Sequence, residues 1–144
     1  SYIQLLEKAY IVFRVDSYSK NLRNEIKNSK KIYFYDNGIR NAIINAYNPI
    51  DLRPDKGVLW ENFLISERIK HLEYHKIYCK YYFWRTKGQQ EIDWIEIKDL
   101  KVDAYEFKWK GAEKVKFPNA FVEAYQPKLK AIDKSNFNEF LGGG

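Results

Sequence analysis

Residues 91–109 read EIDWIEIKDLKVDAYEFKW. Apolar and polar side chains alternate through both halves of this stretch, the signature of two β-strands. Asp99-Leu100 is the break between them, so the stretch predicts a tight antiparallel hairpin. With a two-residue loop, opposed residues have numbers summing to 199, and Asp93 faces Glu106. Directly opposed Cβ atoms lie roughly 4.5–5.5 Å apart. Two carboxylates held at that spacing repel. A divalent cation between them removes the cost, because hard cations prefer carboxylate oxygens. Leu100 stands where a glycine ordinarily relieves positive φ, which leaves a longer turn open.

Period two also assigns faces. On the first strand Glu91, Asp93 and Ile95 fall together, with Ile92 and Trp94 opposite. On the second, Ala104, Glu106 and Lys108 share a face, and Tyr105, Phe107 and Trp109 must pack on a core. Asp93, Glu106 and Lys108 thus collect on one polar face. Two acids and a lysine can hold Mg²⁺ or Mn²⁺, a scissile phosphate and an attacking water. The metal polarises the phosphoryl oxygen, and the lysine orients the water or stabilises developing charge. The plainer reading is an exposed face with a cross-strand acid–lysine pair, which is common and worth little.

Upstream, residues 58–76 carry the longest helical pattern, with Val58, Leu64, Ile65, Ile69 and Leu72 on one apolar face. Glu61 projects at its edge, and Glu67 falls between Trp60 and Phe63. A carboxylate among apolar neighbours needs a partner. Arg68 and His75 lie on nearly the same line as Glu61, so a salt bridge is one answer and a metal shared with the hairpin acids is the other. Residues 77–86 read as a strand, 119–125 as a helix opened by Pro118, 129–133 as a strand and 136–141 as a short helix. From residue 58 the order is α, β, β, β, α, β, α. Before it, 2–9 reads as a helix end, 10–15 and 31–36 as strands, 17–30 as a basic solvated loop, 39–47 as a short helix and 48–57 as a loop. A helix end followed by two strands is how a winged-helix unit finishes.

Four segments, KIYFYDNGIRNAI, LWENFLISERIKHL, FWRTKGQQEIDWIE and AYEFKW, resemble a C-terminal domain that follows the P-loop module in a group of prokaryotic AAA-type ATPases. A helix glutamate, a strand aspartate and E-x-K on the next strand also resemble the PD-(D/E)xK nuclease superfamily. The resemblance implies an α/β, restriction-endonuclease-like fold, with a mixed central sheet flanked by helices and preceded by a partial winged-helix segment. It implies catalytic positions at Glu61, Asp93, Glu106 and Lys108, with Glu61, Asp93 and Glu106 as ligands of Mg²⁺ or Mn²⁺. The expected divisions are 1–36 for the winged-helix remnant, 37–57 for a helix and linker, 58–141 for the nuclease-like domain and 142–144 for a flexible end. No G-x-x-x-x-G-K-[ST] occurs, so this chain is not itself the ATPase. An ATPase module of the same protein is expected before Ser1, where the chain opens inside an amphipathic segment.

Composition fits this picture. The 144 residues are 45% hydrophobic and 17% aromatic, enough for a real core. One cysteine, Cys79, excludes an internal disulfide, and one Cys with two His excludes a four-ligand zinc site. No long apolar run and no leader-like start is seen, so a cytoplasmic protein with no membrane partner is expected. A net charge of +6 is compatible with DNA as a partner. Arg85, Lys87 and Lys110 flank the polar face and are the candidate phosphate contacts. His71 and His75, four residues apart without an H-E-x-x-H pattern, read as a surface pair. Cys79 reads as a small hydrophobe rather than a nucleophile. The run YYFW (81–84) reads as core, with base stacking as its functional alternative. Two functions follow. One is a metal-dependent DNA phosphodiesterase. The other is a non-catalytic regulatory or docking module of the ATPase, binding nucleic acid, a protein partner or a second copy of the chain.

Overall fold

A computed structural model describes residues 1–20, 22–38 and 53–143. Helix α1 (Tyr2–Lys8) is opened by a capping box: Ser1 Oγ accepts from Gln4 N at 3.3 Å, and the Ser1 amine donates to Gln4 Oε1 at 2.8 Å. Strands β1 (Val12–Asp16) and β2 (Lys30–Phe34) pair antiparallel. Helix α2 (Lys56–Tyr74) then leads into β3 (Lys80–Arg85), β4 (Glu91–Lys98) and β5 (Lys101–Phe107). A 3₁₀ turn (Ala112–Lys114), α3 (Asn119–Tyr125), β6 (Lys128–Ile132) and α4 (Phe137–Phe140) complete the chain. The helix expected over 39–47 lies outside the described residues.

The main sheet has the order β3-β4-β5-β6. The first two pairings are antiparallel and β5–β6 is parallel, with α3 in the crossover, so the sheet is mixed and the fold is α/β. Both faces are covered. Phe83, Trp94, Phe107 and Ile132 pack against Trp60, Leu64, Ile65 and Ile69 of α2 and against Phe13, Val15 and Tyr33 of the N-terminal hairpin. Trp84, Ile92, Ile95 and Ala104 pack against Phe121 of α3. Phe83 and Trp84 of the aromatic run are therefore core residues on opposite faces. Among the described residues no helix is long and apolar enough to cross a membrane.

The β4–β5 register runs as the sequence predicts, from Lys98↔Lys101 to Trp94↔Tyr105. Asp99 and Leu100 form the turn with φ of 50° and 65°, the two positive values of a tight hairpin turn. Leu100 tolerates this while 97% exposed.

Four expectations are corrected. The first concerns the faces of β4. Tyr82 pairs with Ile95 but Trp84 pairs with Ile92, so Asp93 and Trp94 together oppose Phe83 in a β-bulge. Ile92 and Ile95 both turn to the α3 face, and Asp93 does not share the face of Ile95. Second, Val58 is exposed, and Leu59 and Trp60 take its place in the core of α2. Third, the 17–30 loop keeps Lys20, Arg23, Lys27 and Lys30 exposed, as a solvated loop would, but its backbone is docked along the β3 edge. Tyr18 N donates to Phe83 O, Ile26 N to Arg85 O and Lys87 N to Asn24 O, at 2.8–2.9 Å. Glu25 fixes the loop from within, accepting from Trp84 Nε1, Tyr125 Oη and the backbone N–H groups of Lys20 and Leu22. Burial pushes its carboxyl up, but the bonds from Tyr125 and Trp84 outweigh burial and hold it below the ordinary carboxylate range. Fourth, Arg68 does not pair with Glu61. It forks onto Glu96 at 2.7 and 2.8 Å and donates to Phe140 O at 2.6 Å, tying α2 to β4 and α4.

Candidate functional site

The β4–β5 ladder changes character at Asp93. There the backbone pairing gives way to side chains. Asp93 N donates to Glu106 Oε1 at 2.8 Å, and Asp93 Oδ2 accepts from Phe107 N at 2.8 Å. The bulge is the local cause, because it turns Asp93 away from regular alternation. Glu61 arrives from the second turn of α2, where the apolar stripe that packs on Trp94 carries it to the sheet. Its carboxyl lies within hydrogen-bonding reach of Asp93 and accepts from Tyr33 Oη at 3.0 Å. Three carboxylates from α2, β4 and β5 therefore meet at one end of the sheet.

Their electrostatics follow from that crowding. Burial, then the Asp93 charge, pushes Glu61 up to about 7. Burial, then the same charge, pushes Glu106 up to about 8. Asp93 is also raised, by burial, against the hydrogen bond from Phe107 N and the charge of Lys31. Buried like charges cannot all ionise without a compensating cation. Tyr33 is raised by burial and by Glu61, which keeps its hydroxyl protonated as a donor.

The donor set is three hard carboxylates, the chemistry that suits Mg²⁺ or Mn²⁺ rather than a soft metal. Each spends one oxygen on a bond within the fold. Among the described residues no three His, Cys, Asp or Glu side chains stand arranged as a ready metal cage. A Mg²⁺ site needs less, since that ion is usually held by one or two carboxylates with waters and substrate phosphates. On those terms two of these carboxylates have the donor chemistry that a hard divalent cation takes.

Lys108 follows the last residue of β5 and is exposed, with its charge acting to lower Glu106. It lines an open depression with Lys110 and Lys114. Arg85 and Lys87 line a second depression at the start of β4, where Arg85 pairs with Glu91 at 2.7 Å. Elsewhere, Glu67 finds its partner in Lys70 at 3.0 Å on the surface. His71 and His75 pack with ring centroids 4.5 Å apart and planes tilted by 59°. Burial, then Glu96, pushes the Cys79 thiol up to about 11, so it stays protonated at neutral pH.

Two residues beside the carboxylates were not anticipated: Tyr33 and Lys31, both from β2. Alternation shows that Tyr33 and Tyr35 oppose Ile32 and Phe34, but hydrophobicity alone favours the wrong face inward. Tyr33 is 4% exposed and Ile32 38%.

Two family profiles match the sequence. Domain of unknown function (DUF8612) covers residues 1–49, and Domain of unknown function (DUF4143) covers residues 56–139. No curated protein and no solved structure matches the chain. The DUF4143 match takes in α2, the whole mixed sheet and all three clustered carboxylates, and it spans more than half of the sequence. The chain belongs to the DUF4143 family.

Proposed function

We propose that this DUF4143 chain is a Mg²⁺- or Mn²⁺-dependent phosphodiesterase domain acting on DNA, carried at the C-terminus of an AAA-type ATPase. One observation carries the reading. Glu61, Asp93 and Glu106 converge from three elements, all raised by burial, with the Asp93 charge raising Glu61 and Glu106 further. Buried acids brought together without a paired cation cost stability, and a hard divalent cation held by two of them would relieve that cost.

In this reading Asp93 and Glu106 hold the metal and Glu61 completes the site. The bound ion supplies Lewis-acid polarisation of a phosphoryl oxygen. Lys108, at the rim, orients the attacking water and meets the charge that develops on the phosphate. Arg85, Lys87 and Lys110 take neighbouring phosphates, and their contribution weakens as salt rises.

A regulatory or docking module without catalysis is the second reading. It draws on the hydrogen bonds that all three carboxylates make within the fold, which suit a structural role.

Titration calorimetry with Mn²⁺ separates the two. The wild-type chain should take up Mn²⁺ and Asp93→Asn should not. Lys108→Ala should keep Mn²⁺ binding and lose DNA cleavage. A wild-type chain that takes up no Mn²⁺ at millimolar concentration, with or without a DNA oligonucleotide, refutes the phosphodiesterase reading and leaves the carboxylates structural.

A further inference from the structure

The carboxylates all lie within the DUF4143 match, yet the groups that touch or face them from outside do not. Tyr33 Oη donates to Glu61 Oε2 at 3.0 Å from strand β2, inside the segment matched by DUF8612. Lys31 is two residues earlier on the same strand, hence on the same face. Its Nζ lies 5.0 Å from the centroid of Phe83. Phe83 is the residue opposite the bulge that carries Asp93. Lys31, Tyr33, Glu61 and Asn62 line one cavity of ≈ 190 Å³.

The placement is fixed rather than incidental. Asn62, 3% exposed and next to Glu61 in sequence, grips the β2 backbone with both halves of its amide. Its Oδ1 accepts from Phe34 N and its Nδ2 donates to Phe34 O, each at 2.8 Å. The turn of α2 that carries Glu61 is therefore bolted to the strand that carries Lys31 and Tyr33. Burial of Phe13, Val15 and Tyr33 in the core shared with α2 holds the hairpin from behind. The charge of Lys31 also acts on both Glu61 and Asp93, favouring their ionised forms.

We propose that the N-terminal hairpin is a working part of the site, with Tyr33 as the positioning residue for Glu61 and Lys31 as the cation offered to the substrate phosphate. The inference rests on the phosphodiesterase reading and adds to it that the DUF4143 segment alone is an incomplete site. A hydroxyl that holds a metal-binding carboxylate in place governs affinity without touching the metal. A lysine beside the carboxylates competes with the metal for their charge and attracts the polyanion. These two effects of Lys31 have opposite signs.

The test uses the full chain and four proteins: wild type, Tyr33→Phe, Lys31→Ala and Lys31→Arg. Mn²⁺ affinity is read by calorimetry and affinity for a labelled DNA duplex by anisotropy in Ca²⁺, with near-UV circular dichroism as the control on packing. Tyr33→Phe should bind Mn²⁺ about tenfold more weakly with unchanged packing. Lys31→Ala should bind Mn²⁺ about threefold more tightly and DNA about threefold more weakly, and Lys31→Arg should restore both. General loosening of the hairpin cannot produce that opposition. Wild-type Mn²⁺ uptake with Tyr33→Phe and Lys31→Ala unchanged overturns this inference alone. Absence of uptake by the wild type overturns the phosphodiesterase reading and this inference with it.

Discussion

Replacing Glu61 with Gln should stabilise the protein at pH 8 and leave its stability unchanged near pH 4. Glutamine keeps the length of the side chain and an oxygen to accept from Tyr33, and removes the ionisable group. In the fold, burial and the Asp93 charge raise the Glu61 carboxyl from 4.5 to about 7. The folded state therefore binds this proton more tightly than the unfolded chain. Its contribution to stability is complete below the unfolded pKa and is lost as pH rises through about 7. At about 1.4 kcal/mol per pKa unit, the loss is about 3 kcal/mol at most. Glu106 acts in the same direction, but both shifts draw on Asp93, so the two do not add. A chain of this size converts about 3 kcal/mol into a change in Tm of about 10 °C. The assay is scanning calorimetry of wild type and variant in metal-free buffers from pH 4 to pH 9. The wild-type Tm should fall through neutrality, and Glu61→Gln should fall less and finish higher. Millimolar Mn²⁺ should recover much of the wild-type loss at pH 8, since a ligand specific to the folded carboxylates stabilises the fold. A variant less stable than wild type at pH 8 would refute the reasoning, because it would make the ionised Glu61 a satisfied, stabilising partner.

Two further outcomes test the architecture. Leu100→Gly should stabilise by about 0.5–1 kcal/mol, since relief of positive φ outweighs the extra freedom glycine gives the unfolded chain; an unchanged or lower urea midpoint would refute the two-residue turn. Glu25→Ala should cost about 2 kcal/mol, because it strands the buried Trp84 Nε1–H and removes the acceptor of Tyr125 Oη and the part-buried Leu22 N–H. A loss under about 1 kcal/mol would show that the docked loop is held by other contacts.

What the sequence made legible was local. Alternation in EIDWIEI and AYEFKW located both strands, and the two-residue turn set a register that the Trp94↔Tyr105 pairing keeps. The apolar stripe of α2 placed Glu61 toward the sheet. What stayed hidden was set by distant partners. The faces of β4 were misassigned because a bulge has no periodicity of its own until the neighbouring strand is known. Arg68 could be aligned with Glu61 on a helical wheel, yet its partner Glu96 lies 28 residues away on a strand. Glu25 stood in a polar stretch and reads as solvated, but four donors from β3, α3 and its own loop bury it to 2% exposure. Tyr33 and Lys31 joined the site through packing of β2 on α2, which no motif announces.

The bulge opposite Phe83 has a consequence for chain length. Strand β4 contains one residue more than its pairing with β3 requires. Excising Asp93 would bring Ile92, Trp94 and Ile95 into strict alternation, with both isoleucines still toward α3 and the tryptophan still toward α2. In most buried strands a one-residue deletion inverts every side chain beyond it. Here the shortened strand would be the more regular one against β3, while the bonds that Asp93 makes to Glu106 and Phe107 of β5 would be lost. The fold accommodates Asp93 as an insertion on the β3 side and uses its backbone N–H and carboxylate on the β5 side.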